Sequence, residues 1–380
     1  MRKNASKSAI PSGEGDSRSS KKDVQGKKKW RLAALMATVL VAFIIRFVFA
    51  YGVSAGDNYA LSGGSSASSH LSTIISILTG SFSFTDSALN YPLGSLVANP
   101  PLYDFIVAVF AGLFSAMGVS APTAAAGALA WSAPIFSALT CIPVYLVAKR
   151  MFKDETIGVI AAVFYATFAL LVMTSVFSNG TEYAFVGFLF AWMVLFLYKA
   201  LEAADASSVK GFKGIFADKT ILKNTLMAGF IFLLIALSWS QFRTILTCLV
   251  FIMVAQALID RFRSKDVSQT VGIFSLVILI GAIVPAVLYI PAGLWSAVYS
   301  GAFLLAAISV AFTMIFAATS KKPWVFTLPA IIVAVAVVLV VMLFATPGLF
   351  SDLVFGNSHY TGTLMKAILA PSHNTISSMA

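Results

Sequence analysis

The sequence predicts an all-α membrane protein that crosses the bilayer several times. Of its 380 residues, 59% are hydrophobic and only 11% are charged, whereas soluble proteins average about 25% charged residues. The mean hydropathy is +0.90, and apolar runs of about 20 residues, the length that an α-helix needs to cross a bilayer, recur along the chain. These observations exclude an ordinary soluble domain.

The first element is a basic tail over residues 1–29. Residues 1–31 contain ten basic and three acidic residues, so they carry +7 of the net charge of +11. The tail is rich in Ser, Gly and Lys and has no apolar face, which predicts disorder. A basic segment directly before an apolar run is typical of a cytoplasmic anchor beside anionic lipid. We therefore expect a cytoplasmic N-terminus and no nucleic-acid partner.

Ten apolar runs follow the tail, and short basic loops separate several of them. The runs are 30–52, 101–119, 122–148, 156–175, 183–201, 221–239, 242–260, 270–290, 294–317 and 324–345. By the positive-inside rule, the basic loops lie in the cytoplasm with the tail. If every run crossed the membrane, these loops would lie on the side opposite the tail. One early run therefore does not cross. Run 101–119 follows Asn99-Pro100 and contains Asp104, so we interpret it as an interfacial or re-entrant helix and expect nine spanning helices.

This topology predicts a transmembrane domain over 30–345 and two outer regions. Residues 53–121 form a structured first outer loop, and 346–380 form an outer segment. Five acidic residues that no cytoplasmic loop accounts for then fall on the outer side: Asp57, Asp86, Asp104, Glu182 and Asp352. Because the chain has few acids, this distribution leaves few candidates for a charged site.

Asp57 and Glu182 are the leading candidates for catalytic residues and metal ligands. Asp57 follows the first apolar run, and Glu182 opens another, so both lie at the outer boundary, where a carboxylate in hydrocarbon would cost about 2.5–3.5 kcal/mol. Two carboxylates brought together need a cation or proton between them. Oxygen ligands favour Mg²⁺ or Mn²⁺, which can neutralise a departing phosphate. The alternative is that both are ordinary helix-end acids.

Three weaker candidates are substrate-binding residues. Asp86 lies in the outer loop before a Tyr91-Pro-Leu-Gly94 turn. Trp239 lies in a predicted outer turn, and Arg243 follows it by one helical turn. Arg243 could contact a donor phosphate or extend its charge to the membrane surface.

Several of these stretches, taken in order, resemble one family. They are Ser54-Ala-Gly-Asp57-Asn-Tyr59, Phe84-Thr-Asp86, Tyr91-Pro-Leu-Gly94, Pro100-Pro-Leu-Tyr103, Pro134-Ile-Phe-Ser-Ala-Leu-Thr140, Ser175 through Gly180 to Glu182, and Ser238-Trp239-Ser240. The series is similar to the motifs of oligosaccharyltransferase catalytic subunits, which are polytopic GT-C glycosyltransferases of archaea, eukaryotes and some bacteria. The resemblance covers about residues 30–265.

The resemblance implies a GT-C-like helical bundle that performs protein N-glycosylation. The family transfers a glycan from a lipid-linked phosphate or pyrophosphate donor to the Asn side chain of Asn-x-Ser/Thr in an acceptor protein. Carried over to this chain, Asp57 and Glu182 become the ligands of Mn²⁺ or Mg²⁺, and the donor's lipid tail reaches the site through the membrane. The implied location is the cell membrane, with the site outside, or the endoplasmic reticulum membrane in a eukaryote.

Three features depart from the family pattern. The position two after Glu182, usually acidic, is Ala184, and Ser378 stands where the family has a glutamate in its long outer loop. The chain reaches only Ala380 and has no counterpart of the Trp-Trp-Asp acceptor motif. We therefore expect either an N-terminal part of a longer protein or a degenerate homologue.

Two other functions remain open from the sequence. One is a different GT-C enzyme that uses a polyprenyl-phosphate sugar. Those enzymes usually carry adjacent acids in the first outer loop, whereas Asn58 follows Asp57 here. The other is a transporter or a non-catalytic membrane protein, although the chain shows no internal repeat of the kind common in transporters.

Overall fold

The computed structural model describes residues 14–48, 61–86, 95–96, 99–263, 267–289, 300–319, 324–326 and a few positions between 329 and 340. Its helices are α1 Glu14–Val48, α2 Gly64–Leu78, α3 Leu102–Ala116, α4 Ala121–Phe152, α5 Glu155–Thr167, α6 Ala169–Met173, α7 Tyr183–Ala206, α8 Phe212–Ala217, α9 Lys219–Ala236, α10 Phe242–Phe262, α11 Val267–Tyr289 and α12 Ser300–Thr319. Two short strands, β1 Thr85–Asp86 and β2 Ser95–Leu96, pair antiparallel.

The all-α polytopic fold is confirmed. Within the described residues, six helical segments are long and apolar enough to cross a membrane: Trp30–Val48, Ala121–Phe152, Tyr183–Ala206, Lys219–Ala236, Phe242–Phe262 and Val267–Leu288. The predicted total of nine spanning helices is not confirmed by this part of the chain. Run 101–119 forms the 15-residue helix α3, and its interfacial position stays a prediction.

Two helices differ from the elements that the sequence predicts. Helix α1 begins at Glu14, so residues 14–29, expected to be disordered, continue the first membrane helix. Lys, Arg and Glu are good helix formers, and a helix already nucleated by an apolar run extends at little cost. The predicted helix 156–175 is divided into α5 and α6 by Phe168, whose backbone is extended (ψ 116°). The β-branched and aromatic residues around it have only modest helix propensity.

Helix α7 lies in the middle of the bundle and packs against α4 and α9, while α9 packs in turn against α11. Small residues allow the last pair to approach closely, as is usual between membrane helices. A Cβ atom added to Gly281 in α11 would lie only 2.0 Å from Cδ1 of Phe232 in α9. Glycine is therefore required at this crossing.

Helices α2 and α3 are attached to the bundle at the end where α7 begins. The backbone N–H of Leu102 donates to the carbonyl of Leu237 at 3.1 Å, and that of Ser62 donates to Ser178 at 2.8 Å. A Cβ atom on Gly63 would lie 2.1 Å from the carbonyl oxygen of Asn179. These contacts bring residues of the first outer loop against the turn that precedes α7.

Candidate functional site

Glu182 is buried at the N-terminus of α7, with 2% of its surface exposed. Its Oε2 atom accepts hydrogen bonds from Ser66 Oγ at 3.3 Å and from His70 Nε2 at 2.9 Å. Its Oε1 atom accepts one from Asn99 Nδ2 at 3.2 Å. The helix N-terminus adds a favourable partial positive charge. The carboxylate therefore has donors on both oxygens although it is removed from water.

His70, on α2, joins two buried carboxyl groups in one row. Its Nδ1 atom lies 2.6 Å from Asp104 Oδ1 on α3, while its Nε2 atom donates to Glu182. His70 is 2% exposed and Asp104 is 1% exposed. A buried charge is tolerated only when it is paired and hydrogen-bonded. The Asp104–His70–Glu182 row, called the buried triad below, satisfies this condition by alternating the signs of charge.

The electrostatics of the buried triad favour a protonated imidazole. Burial alone lowers the pKa of His70, but the hydrogen bonds to Asp104 and Glu182 and their negative charges together raise this pKa to about 10. Burial raises the pKa of Asp104 despite its bond to His70. Burial also opposes ionisation of Glu182, yet the bond and charge of His70 outweigh it and lower that pKa. Of the two carboxyls, Glu182 therefore ionises the more readily beside the imidazolium.

A second layer of side chains encloses the buried triad. Tyr103, which precedes Asp104 on α3, is 1% exposed, and its ring packs edge-on against the His70 ring with centroids 5.1 Å apart. The Tyr103 hydroxyl shares a 2.7 Å hydrogen bond with Ser132 Oγ on α4. The carbonyls of Leu129 and Thr181 accept from the hydroxyls of Ser132 and Tyr103, at 2.7 Å and 3.4 Å. The aromatic ring keeps water from this side of the imidazole.

Asn99 connects Glu182 to the turn between α9 and α10. While its amide donates to Glu182, its Oδ1 atom accepts hydrogen bonds from Ser240 Oγ at 2.7 Å and Ser240 N at 3.3 Å. In the same turn, the Trp239 ring packs at 90° to the Tyr183 ring, with centroids 6.3 Å apart. The start of α7 is therefore held between the outer loop and the α9–α10 turn.

The structure brings only part of the predicted site together. Trp239 lies beside the residue that follows Glu182, and Arg243 lies half-buried in the first turn of α10. The backbone of Asp86 belongs to β1, where it pairs with Ser95. Asp57 lies outside the described residues. The catalytic, metal-binding and substrate-binding roles of these residues stay predictions.

Sequence reasoning did not identify His70 and Asn99 as site residues, and it named Asp104 only as an outer acid. The reason is that His70 and Asn99 meet Glu182 from sequence separations of 112 and 83, and Asp104 meets His70 from a separation of 34. One local signal was available, because Ser66 and His70 are four residues apart and so share one face of a helix. Because Ser and Thr recur along α2, this pair does not stand out from the rest of the helix.

A divalent cation has one position open to it on Glu182. A carboxylate offers about four lone-pair positions, and the three hydrogen bonds described above occupy two on Oε2 and one on Oε1. Among the described residues, no three His, Cys, Asp or Glu side chains are arranged so that they could hold a metal ion. The donor chemistry of Glu182 fits a hard cation such as Mg²⁺ or Mn²⁺, provided that further oxygen ligands come from elsewhere.

Solved structures of one archaeal enzyme share this fold. The oligosaccharyltransferase AglB of Archaeoglobus fulgidus, in complex with an inhibitory peptide and a dolichol-phosphate, matches 84% of this chain at 20% identity and a TM-score of 0.65. Its apo form matches 93% of the chain at the same identity and TM-score. A form tethered to an acceptor peptide containing the NVT sequon matches 85%, with a TM-score of 0.64. The chain covers 38–41% of the length of those proteins. A search of curated proteins found no match.

The fold is that of a multi-pass membrane protein and is shared with these oligosaccharyltransferase structures. A family model for the N-terminal part of oligosaccharyl transferase STT3 matches residues 66–377. The chain therefore belongs to the STT3 family, as its motif series indicates.

Proposed function

We propose that this chain forms the membrane part of a glycosyltransferase that moves a glycan from a lipid-linked phosphate or pyrophosphate donor to the Asn side chain of Asn-x-Ser/Thr in proteins. The observation that carries the proposal is the carboxylate of Glu182, ionised, buried and held by three side-chain donors in a member of the STT3 family. An oriented carboxylate in a low-dielectric site interacts strongly with developing charge.

Asp57 and Glu182 are the proposed catalytic residues and the ligands of Mn²⁺ or Mg²⁺. Support comes from the packing of Leu61–Gly63 against the turn before Glu182. Asp57 precedes Leu61 by four residues, and four residues of extended chain span at most about 14 Å. The length of the connecting chain therefore keeps Asp57 within about 14 Å of Leu61, which packs near the turn before Glu182. The ion would stabilise negative charge on the departing phosphate, while Ser66, His70 and Asn99 orient the Glu182 carboxylate.

The proposed partners are a lipid-linked oligosaccharide, an acceptor protein and the surrounding membrane lipid. Support comes from the related archaeal structures, which contain a dolichol-phosphate in one case and an NVT acceptor peptide in another. Trp239 and Arg243 are proposed to contact the donor or acceptor because their turn adjoins Glu182 through Asn99 and Tyr183. Asp86 is proposed as a contact from the outer loop.

The proposed orientation has the N-terminus in the cytoplasm and the Glu182 site outside. Three basic residues support it, one on α1 and two in the last turn of α4. Arg31 and Lys149 both pair with Glu155, and Arg150 pairs with Glu202. Glu202 follows Glu182 by 20 residues on α7, a rise of about 30 Å. The basic end is thus a bilayer thickness away from the buried triad, as the positive-inside rule requires.

Glycan transfer in reconstituted vesicles tests the proposal. The chain is supplied with lipid-linked oligosaccharide, Mn²⁺ and a fluorescent Asn-x-Thr peptide, and glycopeptide is measured by gel shift and mass spectrometry. We expect product with the Asn peptide, none with a Gln-x-Thr peptide, and loss of product on chelation or in Asp57→Ala. Absence of product from the wild-type chain, or equal product from Asp57→Ala, contradicts the proposal.

A further inference from the structure

A long apolar groove runs between α4, the α5–α6 segment and α7. Its volume is about 430 Å³, within the range of about 300–1,000 Å³ typical of ligand sites. On α7 the lining residues run from Tyr183 to Val194, a rise of about 16 Å. Most of the lining is aliphatic or aromatic, including Val144, Val147 and Phe190. The shape suits one extended hydrocarbon chain.

Gly187 keeps the middle of this groove open. A Cβ atom added there would have nothing within 4 Å, in contrast to the close approach of another helix at Gly281. Glycine inside a helix costs about 0.5–1 kcal/mol relative to Ala. Among the residues that the structure describes, no neighbouring helix fills the space above Gly187, so the groove is open there to a lipid chain.

One end of the groove is surrounded by cations. Ala148, Met151 and Phe152 line that end, and Arg150 in the same helical turn pairs with Glu202 at 2.6 Å. On α7, Lys199 follows the last lining residue by five positions, and the charges of Arg150 and Lys223 act on it. The positive charges of Arg150, Lys199 and Lys223 therefore lie close enough to act on one another near this end, where Glu202 pairs with Arg150.

The other end of the groove carries both signs of charge, because Arg46 donates to the lining residue Ser175 at 2.7 Å and Glu182 precedes the lining residue Tyr183. Tyr183 and Ala184 line it, directly after the ionised Glu182. A phosphate at this end would lie near Glu182 as well as Arg46, whereas a phosphate at the basic end would lie near Arg150, Lys199 and Lys223. Each Lys or Arg near a membrane surface contributes about 1 kcal/mol to the attraction of an anionic lipid. The charge pattern therefore gives the bound chain a direction.

We propose that this groove binds an anionic phospholipid of the leaflet at the basic end, with its phosphate among Arg150, Lys199 and Lys223 and one acyl chain along α7 past Gly187. The lipid fills the groove beside the contact between α4 and α7 and stabilises the packing of these helices. This site is independent of the proposed transfer reaction, since it involves none of the residues of the buried triad.

Native mass spectrometry of the full chain, released from vesicles of phosphatidylcholine and phosphatidylglycerol, tests the proposal. We expect one phosphatidylglycerol to remain bound in preference to phosphatidylcholine. The variant Gly187→Trp fills the groove and should abolish this retention, while Gly187→Ala should retain the lipid. Lys199→Gln should lower retention about fivefold, the equivalent of one charge, whereas Arg263→Gln at the end of α10 should not change it.

Three results overturn the proposal. The first is equal retention of the two lipids by the wild-type chain. The second is unchanged retention of phosphatidylglycerol in Lys199→Gln. This substitution removes only a partly exposed charge and leaves the groove intact, so a change in retention does not reflect misfolding. The third is preferential retention of an uncharged isoprenoid, added in a separate sample, that Gly187→Trp abolishes. That result would assign the groove to a different class of lipid.

Discussion

Replacement of His70 by Ala should destabilise the protein far more than loss of one ordinary side chain. The change removes the only group that lies between the carboxyls of Asp104 and Glu182 in the described contacts. Both carboxyls are at most 2% exposed, so neither can recover hydration without a rearrangement of α2 and α3. Removing one partner of a buried ion pair costs about 3–5 kcal/mol, and we expect that loss here.

Denaturant titration in mixed detergent micelles, followed by tryptophan fluorescence, measures this loss as a change in the free energy of unfolding. Ser66→Ala is the matched control, because it removes a single 3.3 Å hydrogen bond to Glu182 and should cost about 0.5–1.5 kcal/mol. In the His70→Ala background, Asp104→Asn with Glu182→Gln removes both uncompensated charges and should restore part of the stability.

Two results would refute this reasoning. If His70→Ala lies within 1 kcal/mol of Ser66→Ala, the imidazole does not compensate buried charge. If neutralising both carboxyls gives no recovery, the destabilisation comes from the cavity left by the ring. If the double change stabilises the His70→Ala variant more than it stabilises the wild type, the imidazole and the carboxyls are energetically coupled.

Three further predictions concern stability. The protonated imidazole of His70 stabilises the fold fully below about pH 6.5, and this contribution is lost as the pH rises toward the folded-state pKa of about 10. The thermal stability of the wild type should therefore fall between pH 7 and 10 relative to that of His70→Gln, by at most about 1.4 kcal/mol per pH unit. Parallel curves of stability against pH for the two proteins would contradict this. Gly187→Ala should stabilise the chain by about 0.5–1 kcal/mol, whereas Gly281→Ala should destabilise it by about 1–3 kcal/mol through overpacking. The denaturation midpoints of the two variants measure these changes, and equal shifts of the two midpoints would refute the packing described. Asn99→Ala should cost about 1–3 kcal/mol by leaving a buried carboxylate oxygen without its donor, while the exposed Asn224→Ala should cost less than about 0.5 kcal/mol; similar losses in both would count against the role of Asn99.

The membrane helices could be predicted from the sequence because their signal is local. Runs such as 183–201 and 242–260 closely match α7 and α10, since 20 apolar residues have one stable conformation in a bilayer. The ends of helices were less predictable where the residues on both sides of the boundary have similar helix propensity. The break at Phe168 separates two apolar segments of similar composition, and the start of α1 at Glu14 depends on extension of a helix nucleated further along the chain.

The candidate site was only half predictable, for a different reason. Glu182 could be identified because an acid is rare in this composition and begins an apolar run. His70 gave no such signal, because no metal-ligand spacing surrounds it and its partners Asp104 and Glu182 come from other elements. Pairing across 34 and 112 residues depends on how α2 and α3 dock on the bundle, which local periodicity does not encode.

The rate of glycopeptide formation by Glu182→Gln, compared with the matched variant Glu202→Gln at the opposite end of α7, tests the central claim most directly. Both changes neutralise one carboxylate on the same helix, but Glu202 is about 40% exposed and pairs only with Arg150 in the described structure. The account predicts a loss of at least about 100-fold for Glu182→Gln and a nearly unchanged rate for Glu202→Gln. Equal rates in the two variants would contradict it.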